Sequence, residues 1–143
     1  MCVENLNALL PHLDTFIAHI HTVHLDSAVR PVAKICQYLA LDNSKKENTI
    51  IKHALLPIYK ERIIAVCLDY MISDQKVAAK AYSMTTLYLL GKEFEWIHPE
   101  LTIILERDFQ IQSVAFRGRA RQILKRIYSK KQKTIKDTFM LKI

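Results

Sequence analysis

The chain has 143 residues, half of them hydrophobic and 24% charged, with a formal net charge of +7. That balance belongs to one domain able to bury a core and excludes a disordered chain. No apolar run approaches the ~20 residues of a membrane-spanning helix, and two glycines (Gly91, Gly118) are too few for the tight turns of a β-rich fold.

The three cysteines, Cys2, Cys36 and Cys67, lie far apart and form neither a disulfide framework nor a Cys-x-x-Cys metal pair. Cys36 and Cys67 fall within apolar helical patterns and read as small core residues. The first ten residues contain Glu4 and no basic patch before an apolar stretch, so they do not read as a secretory signal. A reducing, cytoplasmic setting is the expectation. Charge is unevenly placed. From Arg117 to Ile143 there are ten basic residues and one acid, Asp137, whereas the preceding 116 residues carry 11 basic and 13 acidic groups. A nearly neutral body therefore ends in a basic segment, which attracts anions better than the same charge spread evenly.

In chain order, Leu13, Phe16, Ile17 and Ile20 have helical spacing and predict a first helix over His12–Val23. A second opens at Asp26 and carries Val32, Ile35, Cys36 and Leu39. Pro31 lies about a turn inside it, which predicts a distorted first turn. The polar run Asp42–Lys46 ends this helix. Pro57 suits the first turn of a third helix reaching Ile72, with Ile64, Cys67, Leu68 and Met71 on its apolar side. A fourth opens at Asp74 and stops at Gly91. His98-Pro99-Glu100 marks the start of a fifth, with Leu101, Ile104 and Leu105, ending near Glu106. Phe116, Ala120, Ile123, Leu124 and Ile127 define the last. No segment alternates strictly, so strands are not expected.

A repeat runs through this order. Asp26, Val29, Ala33, Cys36 and Leu39 return 48 residues later as Asp74, Val77, Ala81, Met84 and Leu87. A third copy, 39 residues further, places Ser113, Phe116, Ala120 and Ile123 in the first four positions; the fifth, Arg126, departs from the pattern. Asp or Ser at the head would cap a helix start, and the small alanine lets a neighbouring helix approach closely. Each copy follows another helix, and pairs of this kind bury their faces by stacking.

The segments Asp26-Ser-Ala-Val-Arg-Pro-Val-Ala33 and Asp74-Gln-Lys-Val-Ala-Ala-Lys-Ala81 resemble the second helix of HEAT repeats. The stretch Ser73–Ile127 is similar to small bacterial HEAT-like proteins, sharing runs like Val77-Ala-Ala-Lys-Ala-Tyr-Ser-Met84 and Ser113-Val-Ala-Phe-Arg-Gly-Arg-Ala-Arg121. The resemblance spans roughly residues 12–128. It implies an armadillo-type α-solenoid: an all-α, right-handed α-α superhelix of about three stacked HEAT-like helix pairs. It brings no catalytic residues with it. The expected organisation is a repeat domain over residues 1–128 and a basic, partly disordered tail over 129–143. The first repeat is incomplete on its N-terminal side, as in a shortened form of a longer array.

Catalytic and metal chemistries find little support. His19, His21 and His24 cluster, with His12 nearby, but no cysteine or acid cluster completes a metal site. His53 and His98 read as surface and capping residues. No glycine-framed serine, no Cys/His pair in a recognisable local context and no phosphate-cradling loop is present. Glu93 and Glu95 beside Trp96 read as a solvated loop between helices. Lyases of the fumarase and aspartase type need a glycine-rich serine loop and a far longer chain. A HEAT-like DNA glycosylase would need an aromatic-acidic cleft, which Trp96 with Asp108 or Glu106 only imitates. No cofactor and no enzymatic activity are expected.

What remains is binding. Arg30 with Lys34, Lys76 with Lys80, and Arg117 with Arg121 share i, i+4 spacing on the second helices of the three repeats. In that register they would form one basic ridge, the candidate contact surface for a protein partner. The alternative is non-specific nucleic-acid binding through the ridge and the lysine-rich tail. Tyr128 is the single aromatic within the basic run Arg117–Lys136, which offers little for base stacking.

Overall fold

The computed structural model describes residues 3–23 and 26–141, with the side chains of residues 6–23 and 27–138. A 3-10 stretch, Val3–His12, leads into α1 (Leu13–His19) and a short 3-10 turn, Ile20–Thr22. Then follow α2 (Asp26–Asn43), α3 (Ile50–Ala54), α4 (Pro57–Ile72), α5 (Val77–Leu90), α6 (Ile97–Asp108) and α7 (Val114–Leu141). The protein is all-helical, with no strand among the described residues.

Local chemistry accounts for most boundaries. Leu56 is extended, as a residue before proline should be, and Pro57 takes the first position of α4, where its missing N–H costs nothing. Ser113 Oγ accepts from Phe116 N at 3.2 Å and caps α7 as expected. Asp74 does not cap α5. The helix starts at Val77, the capping position falls to Lys76 without a side-chain bond, and Asp74 sits two residues too early. The side chain of Asp26 lies outside the described residues. The short α3 was not anticipated, since five residues are too few to show a stripe; Thr49 caps it, accepting from Lys52 N at 3.1 Å. α6 starts at Ile97, so Pro99 falls within its first turn. Gly91 ends α5 in a right-handed conformation (φ −64°), so its glycine is not required by a left-handed turn.

α5 is the hub, in contact with α2, α4, α6 and α7. Its buried residues, Ala79, Lys80, Ser83, Met84, Thr86, Leu87 and Leu90, point to more than one side, as a helix enclosed by neighbours requires. Lys80 is the unusual member. Its stem is buried and its ammonium donates to Met71 O at 3.2 Å, satisfying a carbonyl at the C-terminal end of α4. Cys36 and Cys67 are fully buried and interact thiol to thiol. The neighbouring thiol and the burial together push the Cys36 thiol well up, so it stays protonated and unreactive.

Polar ties bind elements far apart in sequence. Tyr59 Oη donates to Asp14 Oδ1 at 2.7 Å, joining α4 to α1. Asn43 Nδ2 and Lys60 Nζ both reach Glu93, each at 2.8 Å, so the end of α2 and the first half of α4 hold the α5–α6 loop. Glu93 therefore ties three elements together while its side chain stays 43% exposed in the loop. Partial burial acts to raise its pKa, but the Lys60 ammonium and the Asn43 amide prevail and hold it below the usual glutamate value.

The segment beyond Tyr128, expected to be partly disordered, continues α7 to Leu141. It contains no glycine or proline, and lysine and glutamine are good helix formers. Among the described side chains Ile127 is the last buried one of this helix, and residues 128–138 are all exposed. No helix among the described residues is long and apolar enough to cross a membrane.

Candidate functional site

α7 carries nine of the chain's 21 lysines and arginines, and its geometry sorts that charge into two kinds. Phe116, Ala120, Ile123 and Ile127, spaced by four, three and four residues, put one side of the helix into the core. The arginines flanking this side are used within the fold. Arg119 Nη1 donates to Thr85 Oγ1 of α5 at 2.8 Å. The Arg121 guanidinium lies over the Phe109 ring, 5.6 Å from its centroid, and that of Arg126 over Tyr88 at 6.0 Å. Lys125, Lys130, Lys131, Lys133 and Lys136 lie on the exposed surface.

The proposed ridge residues are placed unequally. Arg30 and Lys76 are exposed, Lys34 is half-buried with its ammonium 5.8 Å from the Tyr38 ring centroid, and Arg117 is half-buried. Arg121 is exposed above Phe109. Lys80 is only 6% exposed and spent on Met71 O, so it offers no charge to a partner. α2 contacts α5 and α5 contacts α7, so the helices carrying the three pairs are neighbours, but the middle pair contributes Lys76 alone.

Two open grooves flank α7. One, of about 610 Å³, lies between the end of α6 and α7 and includes Phe109, Arg121, Leu124, Lys125 and Tyr128. Tyr128 Oη donates to Glu106 Oε1 at its edge, which raises the tyrosine pKa above its ordinary value. The other, of about 550 Å³, lies between the first half of α6 and the middle of α7. Pro99, Ile103, Ile127 and Ile135 supply its apolar surface, and Lys130 and Lys131 its basic side. Ile103 and Ile135 are each 60% exposed, uncommon for large aliphatic side chains so near one another.

His98 underlies the second groove. Its ring stacks on Tyr88 with centroids 5.4 Å apart, and Nε2–H donates to Tyr88 O at 2.8 Å. The ring also rests against Gly91, where a Cβ would collide with it. His98 is thus a packing residue that fixes the start of α6, not a surface or capping one.

The remaining candidate chemistries are not assembled. α6 keeps Trp96, before its first residue, from Asp108, its last, by about 18 Å of helix. Asp108 is buried and paired with Arg107 at 2.8 Å, so neither it nor Glu106 faces an aromatic cleft with Trp96. His19 Nδ1–H donates to Thr15 O at 2.8 Å, and His12, His21 and His53 are exposed. The side chain of His24 lies outside the described residues. Among the described residues, no three of histidine, cysteine, aspartate and glutamate lie close enough to hold a metal ion. Comparison of the chain with protein-family models, curated proteins and solved structures returned no match.

Sequence reasoning missed the groove because its two sides come from residues about thirty positions apart. A signal was present. Ile135 and Phe139 extend the spacing of Ile127 along α7 past the end of the packed body. An amphipathic helix that outruns its core leaves apolar surface without a partner.

Proposed function

We propose that the protein is a non-catalytic binding module that engages a protein partner through the exposed faces of α6 and α7. The observation that carries this reading is the pairing of exposed aliphatic side chains, Ile103 and Ile135, with the lysines of α7 in one open groove. Large exposed aliphatics cost solubility, and contiguous ones mark interaction sites. In the same reading α2, α5 and α7 form one layer and α1, α4 and α6 the other layer of a right-handed superhelix of about three HEAT-like pairs. Its two buried, unpaired thiols suit a reducing, cytoplasmic setting.

A second reading is favoured by one specific observation. The exposed surface of α7 carries five lysines along a continuous helix, which suits a phosphate backbone. Affinity capture from nuclease-treated extract separates the two. The partner-binding reading predicts discrete proteins retained by the wild-type chain after nuclease treatment and lost with Lys125→Glu/Lys130→Glu/Lys131→Glu. Retention that disappears on nuclease treatment would assign the surface to nucleic acid.

A further inference from the structure

The groove between α6 and α7 carries more information than a site for some protein, because its floor and its rim differ in chemistry. The floor is aliphatic: Pro99, Ile103, Ile127 and Ile135. The charged lining is Lys130 and Lys131, one turn of α7 beyond Ile127, against a single acid, Glu95. We propose that this groove binds an acidic amphipathic helix, with its apolar stripe on the isoleucines and its carboxylates on the lysines. This deepens the partner-binding reading and rests on it.

Three observations select this occupant. Nucleic acid would use the lysines but gain little from isoleucine, since bases stack on aromatic and guanidinium planes rather than on aliphatic chains. A second copy of this chain would bring its own basic segment, ten cations against one acid from Arg117 onward, so like charges would meet. An extended strand has no edge to join, because no strand exists among the described residues. A helix laid beside α6 and α7 instead repeats the packing already used by the fold, with anchors at i, i+3, i+4 and i+7.

The test is fluorescence anisotropy with a labelled synthetic peptide of roughly 20 residues, long enough to form a helix on binding. It carries leucine on one helical stripe and glutamate with alanine elsewhere. Its controls are a scrambled peptide of the same composition and a DNA single strand. The proposal predicts saturable binding of the amphipathic peptide that weakens with salt, and no comparable binding of the scrambled one. Ile103→Ser/Ile135→Ser and Lys130→Glu/Lys131→Glu should each weaken it about tenfold or more. Both pairs are exposed, and circular dichroism verifies that the variants remain folded. Equal binding of the scrambled peptide, unchanged affinity of the isoleucine variant, or no peptide binding would each overturn the proposal. DNA binding that needs the lysines but not the isoleucines, with no peptide binding, would do the same in favour of nucleic acid. If the peptide fails while proteins are still retained from nuclease-treated extract, only the groove assignment falls. If nuclease also abolishes that retention, the partner-binding reading falls with it.

Discussion

A methyl group added at Gly91 would run into the His98 ring, whereas one added at Gly118 would meet nothing within 4 Å. The two glycines therefore make opposite predictions. Gly91→Ala should lower stability by about 1–3 kcal/mol, the usual cost of overpacking. Gly118→Ala, inside α7 with space around it, should raise stability by about 0.5–1 kcal/mol through helix propensity. Urea denaturation measures both, and a double-mutant cycle with His98→Ala should recover much of the Gly91→Ala loss. Equal effects at the two sites would refute the assigned role of His98. Sequence showed Gly91 as a helix stop but not the reason for it. The Tyr88–His98 stack that demands the glycine joins residues brought together only by the turn between α5 and α6. Lys80 illustrates the same limit, since a lysine in a helical pattern carries no mark of the carbonyl that will receive its ammonium.

At the scale of elements, the α5–α6 loop is held by Glu93 and its partners Asn43 and Lys60. The folded Glu93 carboxyl has a pKa below its unfolded value near 4.5, so its contribution to stability is present above that pH. It is lost as pH falls through the lower folded value. A Glu93→Gln variant should therefore be less stable than wild type near neutrality, by no more than about 1 kcal/mol because the carboxylate is partly exposed. The gap should close as the medium is acidified below about pH 4.5; urea midpoints across pH give the answer. α7 makes a separate prediction. Because residues 128–138 are exposed, Lys133→Pro should reduce the helical dichroism while leaving the unfolding free energy within about 0.5 kcal/mol. A larger loss would mean that the distal helix packs on the body. Stripes such as Ile64, Cys67, Leu68 and Met71 made the long helices legible, because burial on one side imposes a period on the sequence. The distal half of α7 carries no buried stripe to mark it as helix, although its lysines and glutamine are good helix formers.

For the molecule as a whole, the division between a nearly neutral body and a basic end is carried by one helix. Arg119, Arg121 and Arg126 of that helix reach Thr85, Phe109 and Tyr88, whereas its five lysines remain on the surface. Sequence located this charge but treated it as a single patch, since the rings of Phe109 and Tyr88 and the hydroxyl of Thr85 reach the arginines only in three dimensions. It likewise could not separate Lys80 from Lys76, which share a helix end but not an environment. The apolar half of the groove was visible only as scattered isoleucines. Joining the two halves is what favours a protein helix over a phosphate backbone in the proposed reading.

The measurement that bears most directly on this claim is a titration of the protein with a short random DNA duplex at low and at physiological salt. Weak binding at low salt from the lysines of α7 is expected, fading at physiological salt to a dissociation constant above about 10⁻⁴ M. Micromolar or tighter binding at physiological salt, unaffected by Ile103→Ser/Ile135→Ser, would contradict it and make nucleic acid the ligand of this surface.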